Sequence, residues 1–440
     1  MKKNSPVWIA LLGFVIGVLL VMVLNGYNER KALFNVKYDK WQKLNYILYK
    51  AGENYVDTIN VKDVTDAAVQ AALSAMDPHS VYMPPVELSQ ADMELAGNFE
   101  GIGIQFNVPN DTATIIEVIQ GGPSEIAGLL PGDRILKVDD EVIAGVKFPQ
   151  DSMVRRMKGP AGTKVTVTVG RGKEQIPFEI TRGKIPIHSV DASFMIDAST
   201  GYIRLTKFSE TTYREFCEAG KALMDQGMTE LILDLRDNTG GYFNQALALS
   251  NLFLDKGDEI VYMQGLHRPR ESFAADGKGF LKHVSLKVLI NESSASSSEI
   301  FAGAMQDNDR GLIIGRRSFG KGLVQEPFNF NDGSGIRLTV ARYYTPSGRC
   351  IQKPYSSDYG MDIYNRFTTG EMFEADSIKV DSTQAFMTTK GRTVYGGGGI
   401  VPDIFVPMDT TRTTAFYVAC NKKTTQMRFA SAMFDKYKGI

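Results

Sequence analysis

The pattern of apolar and polar positions changes character along the chain. Val7 to Leu24, "VWIALLGFVIGVLLVMVL", carries no charge and follows Lys2 and Lys3. Its length is close to the minimum for a spanning helix. A cleaved signal peptide is the alternative, but that reading wants small residues in an A-x-A pattern. The run exits instead through Leu24-Asn25-Gly26-Tyr27. An uncleaved anchor is therefore expected over 7–24, with 1–6 as a short cytoplasmic N-terminus. The flanking charges (Lys2 and Lys3 before, Arg30 and Lys31 after) orient it only weakly. The rest of the chain is too polar to span. It is expected outside the cytoplasm, as on the periplasmic side of a bacterial inner membrane.

After the anchor the apolar period becomes helical. Trp41, Leu44, Ile47 and Leu48 keep helical spacing, and Val64, Ala68, Ala71 and Ala72 mark a second helix over 61–76. Pro78, Pro84 and Pro85 break the pattern. Residues 25–96 thus read as a helical arm that packs on the main body or on another subunit. From 97 to 183 short β-like runs with glycine punctuation take over: "GIGIQFNV", "TATIIEVI", "RILKVDDEVI" and "KVTVTV". From 184 to 407 strands and helices alternate. "GYIRLTKF", "ELILDLR", "LKVLI" and "GLIIG" read as strands, while "TTYREFCEAGKALMDQG", "YFNQALALSNLFL" and "SEIFAGAMQD" read as helices. This is α/β multidomain organisation. Residues 408–440 form a helical, amphipathic extension without a motif.

Composition removes several function classes. The formal net charge is −1 and no basic stripe is interleaved with aromatics, so nucleic acid is not an expected partner. Cys217, Cys350 and Cys420 lie far apart and form no CxxC or Cys/His spacing, so no metal site is expected.

Candidate chemistry sits in Asn291–Phe301, "NESSASSSEIF", which follows an apolar run. A serine nucleophile needs a proton acceptor, and the chain has four histidines. His79, in "MDPHSVY", lies two residues from Asp77 but beside prolines in the arm. His188, His267 and His283 have no acidic or serine context that stands out. Lysine is the other option. In "GLIIGRRSFGKGLVQEPF", Lys321 stands between glycines. A basic lysine must be neutral near pH 7 against an ordinary pKa of about 10.4, a difference worth roughly 4 kcal/mol. Burial beside Phe319, Leu323 and Val324, with charge from Arg316 and Arg317 if they point inward, would supply it. Gln325, four residues on in a strand, shares a face with Lys321 and would hold the amine. The same letters nearly make a P-loop, but Gly322 stands where magnesium binding needs Ser or Thr. Ser296-x-x-Glu299 also fits a helix capping box, so Ser296 could simply cap a helix.

In the β-rich module, Gly101-Ile102-Gly103-Ile104 precedes a strand. Alone it is a tight turn or a nest for an anion. With "GGPSEIAGLLPGDRILKVDDEVI" it resembles the PDZ signature over 97–183. That resemblance implies that the N–H groups of Ile102, Gly103 and Ile104 hold a peptide carboxylate. Lys158, in "KGPAG", stands where related proteins often carry a basic residue.

"SASSSEIFAGAMQD" followed by "GRRSFGKGLVQ" resembles the carboxyl-terminal processing peptidases, tail-specific serine proteases with a Ser-Lys dyad. "DLRDNTGGYFNQALALSNLF", "DPHSVY" and "RYYTPSGRCIQ" extend the resemblance, in order, over about 35–407. The resemblance implies Ser296 as nucleophile, Lys321 as general base and Gln325 as its support. The oxyanion donors would be the N–H of Ser297 and of Gly240 or Gly241. It also implies a crotonase-like core over 184–407 and self-association through helical arms. Two departures are Ser297 for an alanine and Thr239 for a proline. The expected protein is a serine endopeptidase acting on protein or peptide substrates with a free C-terminus, without cofactor. The alternative is a non-catalytic PDZ scaffold or chaperone that only binds C-termini.

Overall fold

The computed structural model describes residues 42–437 apart from 357 and 412. The expected anchor over 7–24, residues 1–6 and the arm up to residue 41 lie outside the described residues. Among the described residues no helix is long and apolar enough to cross a membrane. The chain divides into two units, with the boundary between Met76 and Asp77. The first contains helices Gln42–Asn54 and Val61–Ser74, the second of them capped by Asn60, whose side chain accepts from the N–H of Lys62.

The arm expected to be helical up to residue 96 is interrupted. Residues 77–96 belong to the second unit, and Val81–Met83 there is a strand that pairs with Arg337–Gly335. Three residues are too few to show a period, so only the distant partner makes them a strand. Pro85 then opens helix Pro85–Leu95, a position where its missing N–H costs nothing.

The β-rich module folds as strands Ile104–Asn107, Ala113–Val118, Arg134–Val138, Lys164–Arg171 and Glu174–Thr181 in that sheet order, with Glu141–Val142 beside the third. Alternation along Lys164–Arg171 sends Val165, Val167 and Val169 inward. They meet Ile115, Ile135 and Met153, the last from helix Gln150–Met157. Each such buried side chain contributes roughly 1.5–3 kcal/mol. Strands Asn98–Gly101 and Gly183–Pro186 pair where the chain enters and leaves the module.

The larger core is a six-stranded sheet. Val190–Met195 runs antiparallel to Thr200–Leu205. From there Thr200–Leu205, Glu230–Asp234, Ser285–Ile290, Leu312–Gly315 and Ile404–Phe405 run parallel. The parallel strands are near-continuous apolar runs because both faces are covered. Ile203, Leu233, Val288 and Ile313 pack with Phe216, Phe253 and Phe301. Every residue of helix Ser297–Asp307 is buried. A second, antiparallel sheet joins Val81–Met83, Gly335–Tyr344, Glu259–Gly265 and Arg268–Ala274, with Leu323–Asn329 also paired to Gly335–Tyr344. In a parallel sheet the carboxyl ends of the strands all open on one edge, and chemistry collects there. Three loops leave that edge: 235–242, 291–296 and 316–322. The C-terminal extension forms helices Ala415–Lys422 and Thr425–Tyr437, and Arg428 Nε donates to Asn110 Oδ1 at 2.8 Å.

Candidate active site

Ser296 is the N-cap of the buried helix and adopts φ +56°, ψ −114°. This conformation is rare for a residue with a side chain, and holding it costs of order 1–3 kcal/mol. A strand, a strained serine and a helix follow in immediate succession, and Ser296 with Glu299 forms the helix's capping box. The neighbouring serines are otherwise engaged. Ser294 Oγ donates to the Leu235 carbonyl, Ser297 Oγ to that of Gly241 and Ser298 Oγ to that of Asn238. All three are buried, whereas Ser296 is half-exposed. Of the five serines, Ser294, Ser297 and Ser298 thus bind the 291–298 loop to the 235–241 loop, and Ser293 and Ser296 stay partly exposed.

Glu299 joins this loop to the next. Its carboxylate is fully buried and accepts four hydrogen bonds. Oε2 takes the N–H groups of Ser296 (2.8 Å) and Lys321 (2.9 Å). Oε1 takes the Ser318 hydroxyl (2.5 Å) and the N–H of Gly320 (2.7 Å). Burial pushes its carboxyl above the ordinary range, and the four donors pull in the opposite direction. Ser296 and Lys321, twenty-five positions apart in sequence, therefore share one oxygen atom through their backbones.

The 318–322 loop is fixed at every N–H. Ser318 donates to the Ile400 carbonyl, Phe319 to Ser294, Gly320 and Lys321 to Glu299, and Gly322 to Gln352 Oε1. The phenol of Tyr343 donates to the Lys321 carbonyl. Lys321 Nζ donates to Gln325 Oε1 at 2.9 Å. Burial pushes the Lys321 pKa down. The charge of Arg337 pushes it further, while Glu299 and Asp77 oppose. Arg316 and Arg317 are not directed at Lys321: Arg316 Nε pairs with Glu292 at 2.7 Å, and Arg317 makes a forked pair with Glu371, both bonds 2.6 Å. Two adjacent arginines said nothing about their direction, and each found a carboxylate remote in sequence or outside the motif. Among the described residues no hydrogen bond joins the Ser296 hydroxyl to the Lys321 amine. The phenol of Tyr343 lies beside the Ser296 side chain instead.

Gly240 and Gly241 have φ +97° and +147°, open to glycine alone at low cost. A Cβ on Gly240 would lie 2.8 Å from Ser296 Cβ, and one on Gly241 would overlap the Phe208 carbonyl. The N–H of Gly240 is already directed at Asn238 Oδ1, 2.9 Å away. The N–H groups of Gly241 and Ser297 meet no protein acceptor among the described residues. Asn238, which the sequence did not single out, also donates to the Leu205 carbonyl at 2.8 Å, so it fixes the glycine turn from beneath.

The histidines stand apart from proton transfer at Ser296. His188, His267 and His283 are exposed. His79 is half-buried, and its ring meets Tyr359 rather than a serine. In the β-rich module a cleft of about 210 Å³ is lined by Phe99, Ile102, Gly103, Ile104, Met157 and Lys158. The carbonyls of Ile102 and Gly103 are taken by the N–H groups of Ser124 and Ile119. Their own N–H groups meet no protein acceptor among the described residues. Lys158 Nζ lies 5.7 Å from the centre of the Phe99 ring at this cleft.

Comparison with known proteins identifies both modules. Residues 199–361 match Peptidase family S41, and residues 101–181 match the PDZ domain. The chain is 34% identical to the carboxy-terminal processing protease CtpA of Bacillus subtilis over 71% of this chain and 67% of that protein. It is 36% identical to a carboxyl-terminal-processing protease of Synechocystis sp. over 68% of this chain and 72% of that protein. Among solved structures, a photosystem II D1 C-terminal processing protease is 26% identical and aligns with a TM-score of 0.45 over 85% of this chain and 90% of that one. The matches to the protease and to the PDZ domain fall in chain order on the two modules that the strands define, and with the relatives' identity and coverage they place this chain in the carboxyl-terminal processing protease family, peptidase family S41.

Proposed function

We propose that this serine peptidase cuts by a Ser296–Lys321 dyad through an acyl-enzyme. The observation that carries the reading is the shared Glu299 carboxylate, which binds the backbones of both residues at the open edge of the parallel sheet. Neutral Lys321, held by Gln325, takes the Ser296 proton as the oxygen attacks the scissile carbonyl. The oxyanion receives the N–H groups of Ser297 and Gly241, with Gly240 giving the close approach. The protonated lysine then returns its proton to the leaving amine. Water enters, loses a proton to the same lysine and attacks the acyl carbon; the ester bond breaks, the lysine returns that proton to Ser296 Oγ, and the acid product leaves. Catalytic hydrogen bonds are often long before substrate binds, so Ser296 and Lys321 meet when the substrate displaces the Ser296 side chain from Tyr343.

Labelling with a fluorophosphonate followed by peptide mapping tests the nucleophile. The adduct is expected on Ser296, and an adduct on Ser294, Ser297 or Ser298 would overturn the assignment.

Arg337 tests the base. A charge that favours neutral Lys321 lets the enzyme work at lower pH. Removing it raises the lysine pKa, so the acid limb of the acylation rate should move to higher pH in Arg337→Gln. An unmoved limb would show that burial alone sets the lysine.

The PDZ cleft is proposed to take the substrate's C-terminal carboxylate on the N–H groups of Ile102, Gly103 and Ile104, with Lys158 nearby. Amidating the C-terminus of a peptide substrate removes the charge and should raise KM by about tenfold, the equivalent of one charge-assisted hydrogen bond. Equal KM values would remove carboxylate recognition. The N-terminal apolar run is proposed to anchor the chain with its protease outside the cytoplasm, and the helical segments to support self-association. A PDZ scaffold that only binds tails is the second reading, and the labelling experiment separates the two.

A further inference from the structure

The Asp77–Ser80 turn supplies no reacting group to the dyad, yet its backbone reaches the glutamine that holds Lys321. Asp77 Oδ1 accepts the N–H groups of His79 and Ser80, both at 2.8 Å, and Oδ2 accepts the Ser80 hydroxyl at 2.6 Å. An aspartate that bonds its own following N–H groups fixes the direction of the turn. The His79 carbonyl is thereby aimed at Gln325, whose Nε2 donates to it at 2.6 Å.

A glutamine amide has two ends of almost the same shape and opposite hydrogen-bonding character. A carbonyl can only accept, so His79 selects the NH₂ end and leaves Oε1 for Lys321. With the amide reversed, two oxygens would face each other and the NH₂ would face the lysine amine. With Oε1 in place, one N–H of the neutral amine is tied down. The lone pair then points away from Gln325.

The His79 ring is held in turn. Its Nε2 lies 2.5 Å from the Tyr359 oxygen, with the two rings nearly perpendicular at 84°. Gln352 Nε2 donates to the same phenol oxygen at 3.2 Å, and in the His79 tautomer protonated on Nδ1 the phenol's own hydrogen goes to Nε2. The charge states agree. Burial pushes Tyr359 up to about 12. Burial, and after it the Lys321 charge, push His79 down to about 4. Near neutral pH a protonated phenol therefore faces a neutral ring. Tyr359 is itself anchored to the base loop. Lys353 Nζ sits 4.0 Å from the Phe319 ring centre and 4.2 Å from that of Tyr359, and Arg366 donates to the carbonyls of Ser318 (2.7 Å) and Phe319 (3.2 Å).

We infer that His79 and Tyr359 are positioning residues for the base: a chain of contacts from the Tyr359 phenol through His79 to Gln325 sets which amide end meets Lys321. The inference rests on the Ser296–Lys321 reading. It gives residues 351–372 a function beyond packing, because their Tyr359 sets the orientation of the proton acceptor.

The test uses the full chain and two readouts, the fluorophosphonate labelling rate and kcat and KM on a peptide. Tyr359→Phe keeps the ring against Lys353 and loses only the hydroxyl. It should lower labelling and kcat about tenfold, within the range expected when a catalytic group is misplaced by a fraction of an ångström, with KM unchanged. His79→Gln, whose amide can still accept from the phenol, should retain more activity than His79→Phe. In a Gln325→Ala background Tyr359→Phe should cost nothing further, because residues acting through one group are not additive. Wild-type labelling by Tyr359→Phe, or an undiminished extra loss in the Gln325→Ala background, would overturn the inference. Ser296→Ala and Lys321→Ala run alongside. If either still cleaves, the dyad itself has failed; if both are inactive and Tyr359→Phe is not impaired, only the positioning chain has.

Discussion

Lys321→Ala is expected to slow acylation of Ser296 by about a thousandfold or more, toward the upper end of what a general base contributes, while thermal unfolding stays close to that of the unaltered protein. The two effects separate because of where Lys321 is held. Its N–H bonds to Glu299 and its carbonyl accepts from Tyr343, so the loop keeps its backbone anchors when the side chain is cut. A buried amine that must be neutral to work is no asset to stability, and its removal relieves a desolvation cost. Lys321→Arg should be as inactive as Lys321→Ala, since a guanidinium does not give up its proton in this range. Ser296→Ala removes the covalent route and should be at least as slow. Its stability should fall by about 0.5–2 kcal/mol, the usual cost of removing a helix N-cap side chain. Steady-state cleavage together with urea unfolding measures both. A Lys321→Ala enzyme within tenfold of normal activity would transfer the base role elsewhere. His79 is the residue to test then, although its ring faces Tyr359.

The sequence carried the site's chemistry further than its geometry. The period change from strand to helix at 286–307 was legible because the strand is an uninterrupted apolar run and the helix follows a polar cluster. Gln325 does meet Lys321, but not by the strand alternation expected: Lys321 lies in the loop before strand Leu323–Asn329, and a register shift falls between Val324 and Gln325. Direction was not legible. Arg316 and Arg317 stand next to the base loop in sequence but turn to Glu292 and Glu371. The charge that does act on Lys321 comes from Arg337, on the facing strand. No local pattern encodes that pairing, because it depends on the register of two strands in the antiparallel sheet. Glycine identity marked the 240–241 turn, but only the Asn238 side chain decides which of the two N–H groups is occupied. The hairpin at 259–274 and residues 351–372 were missed for different reasons. The hairpin strands face solvent on one side and are rich in charge. The later segment works through single polar side chains, Lys353, Tyr359 and Arg366, without any period. A signal was present for Glu299: it is the one acidic residue within the apolar stretch "SEIFAGAM". Its spacing from Ser296 marked the capping box, which the structure contains, but not the further bonds to Ser318, Gly320 and Lys321.

Glu299→Ala is expected to cost both stability and activity, and Glu299→Gln to separate them. Removing the carboxylate leaves three buried N–H groups and the Ser318 hydroxyl without their acceptor. Each unsatisfied buried donor costs about 1–3 kcal/mol. Even with partial rescue by water, Glu299→Ala should lose at least about 3 kcal/mol in urea unfolding. Labelling of Ser296 should fall by about a hundredfold or more, as nucleophile and base drift apart. Glutamine has the same shape but only one acceptor oxygen. If that oxygen serves Ser318 and Gly320, the NH₂ faces the N–H groups of Ser296 and Lys321, donor against donor. If the amide turns over, the NH₂ meets the Ser318 hydroxyl, which already accepts from the N–H of Ile400 at 2.7 Å. The first arrangement keeps the Ser318 and Ile400 contacts and leaves the conflict at the dyad. Glu299→Gln should therefore unfold at a urea concentration nearer the unaltered protein than Glu299→Ala does, yet label almost as slowly. Normal labelling by Glu299→Gln would mean that the shared carboxylate braces the loops without setting the distance between Ser296 and Lys321. The two residues would then be held by Tyr343 and the Phe319–Ser294 hydrogen bond alone.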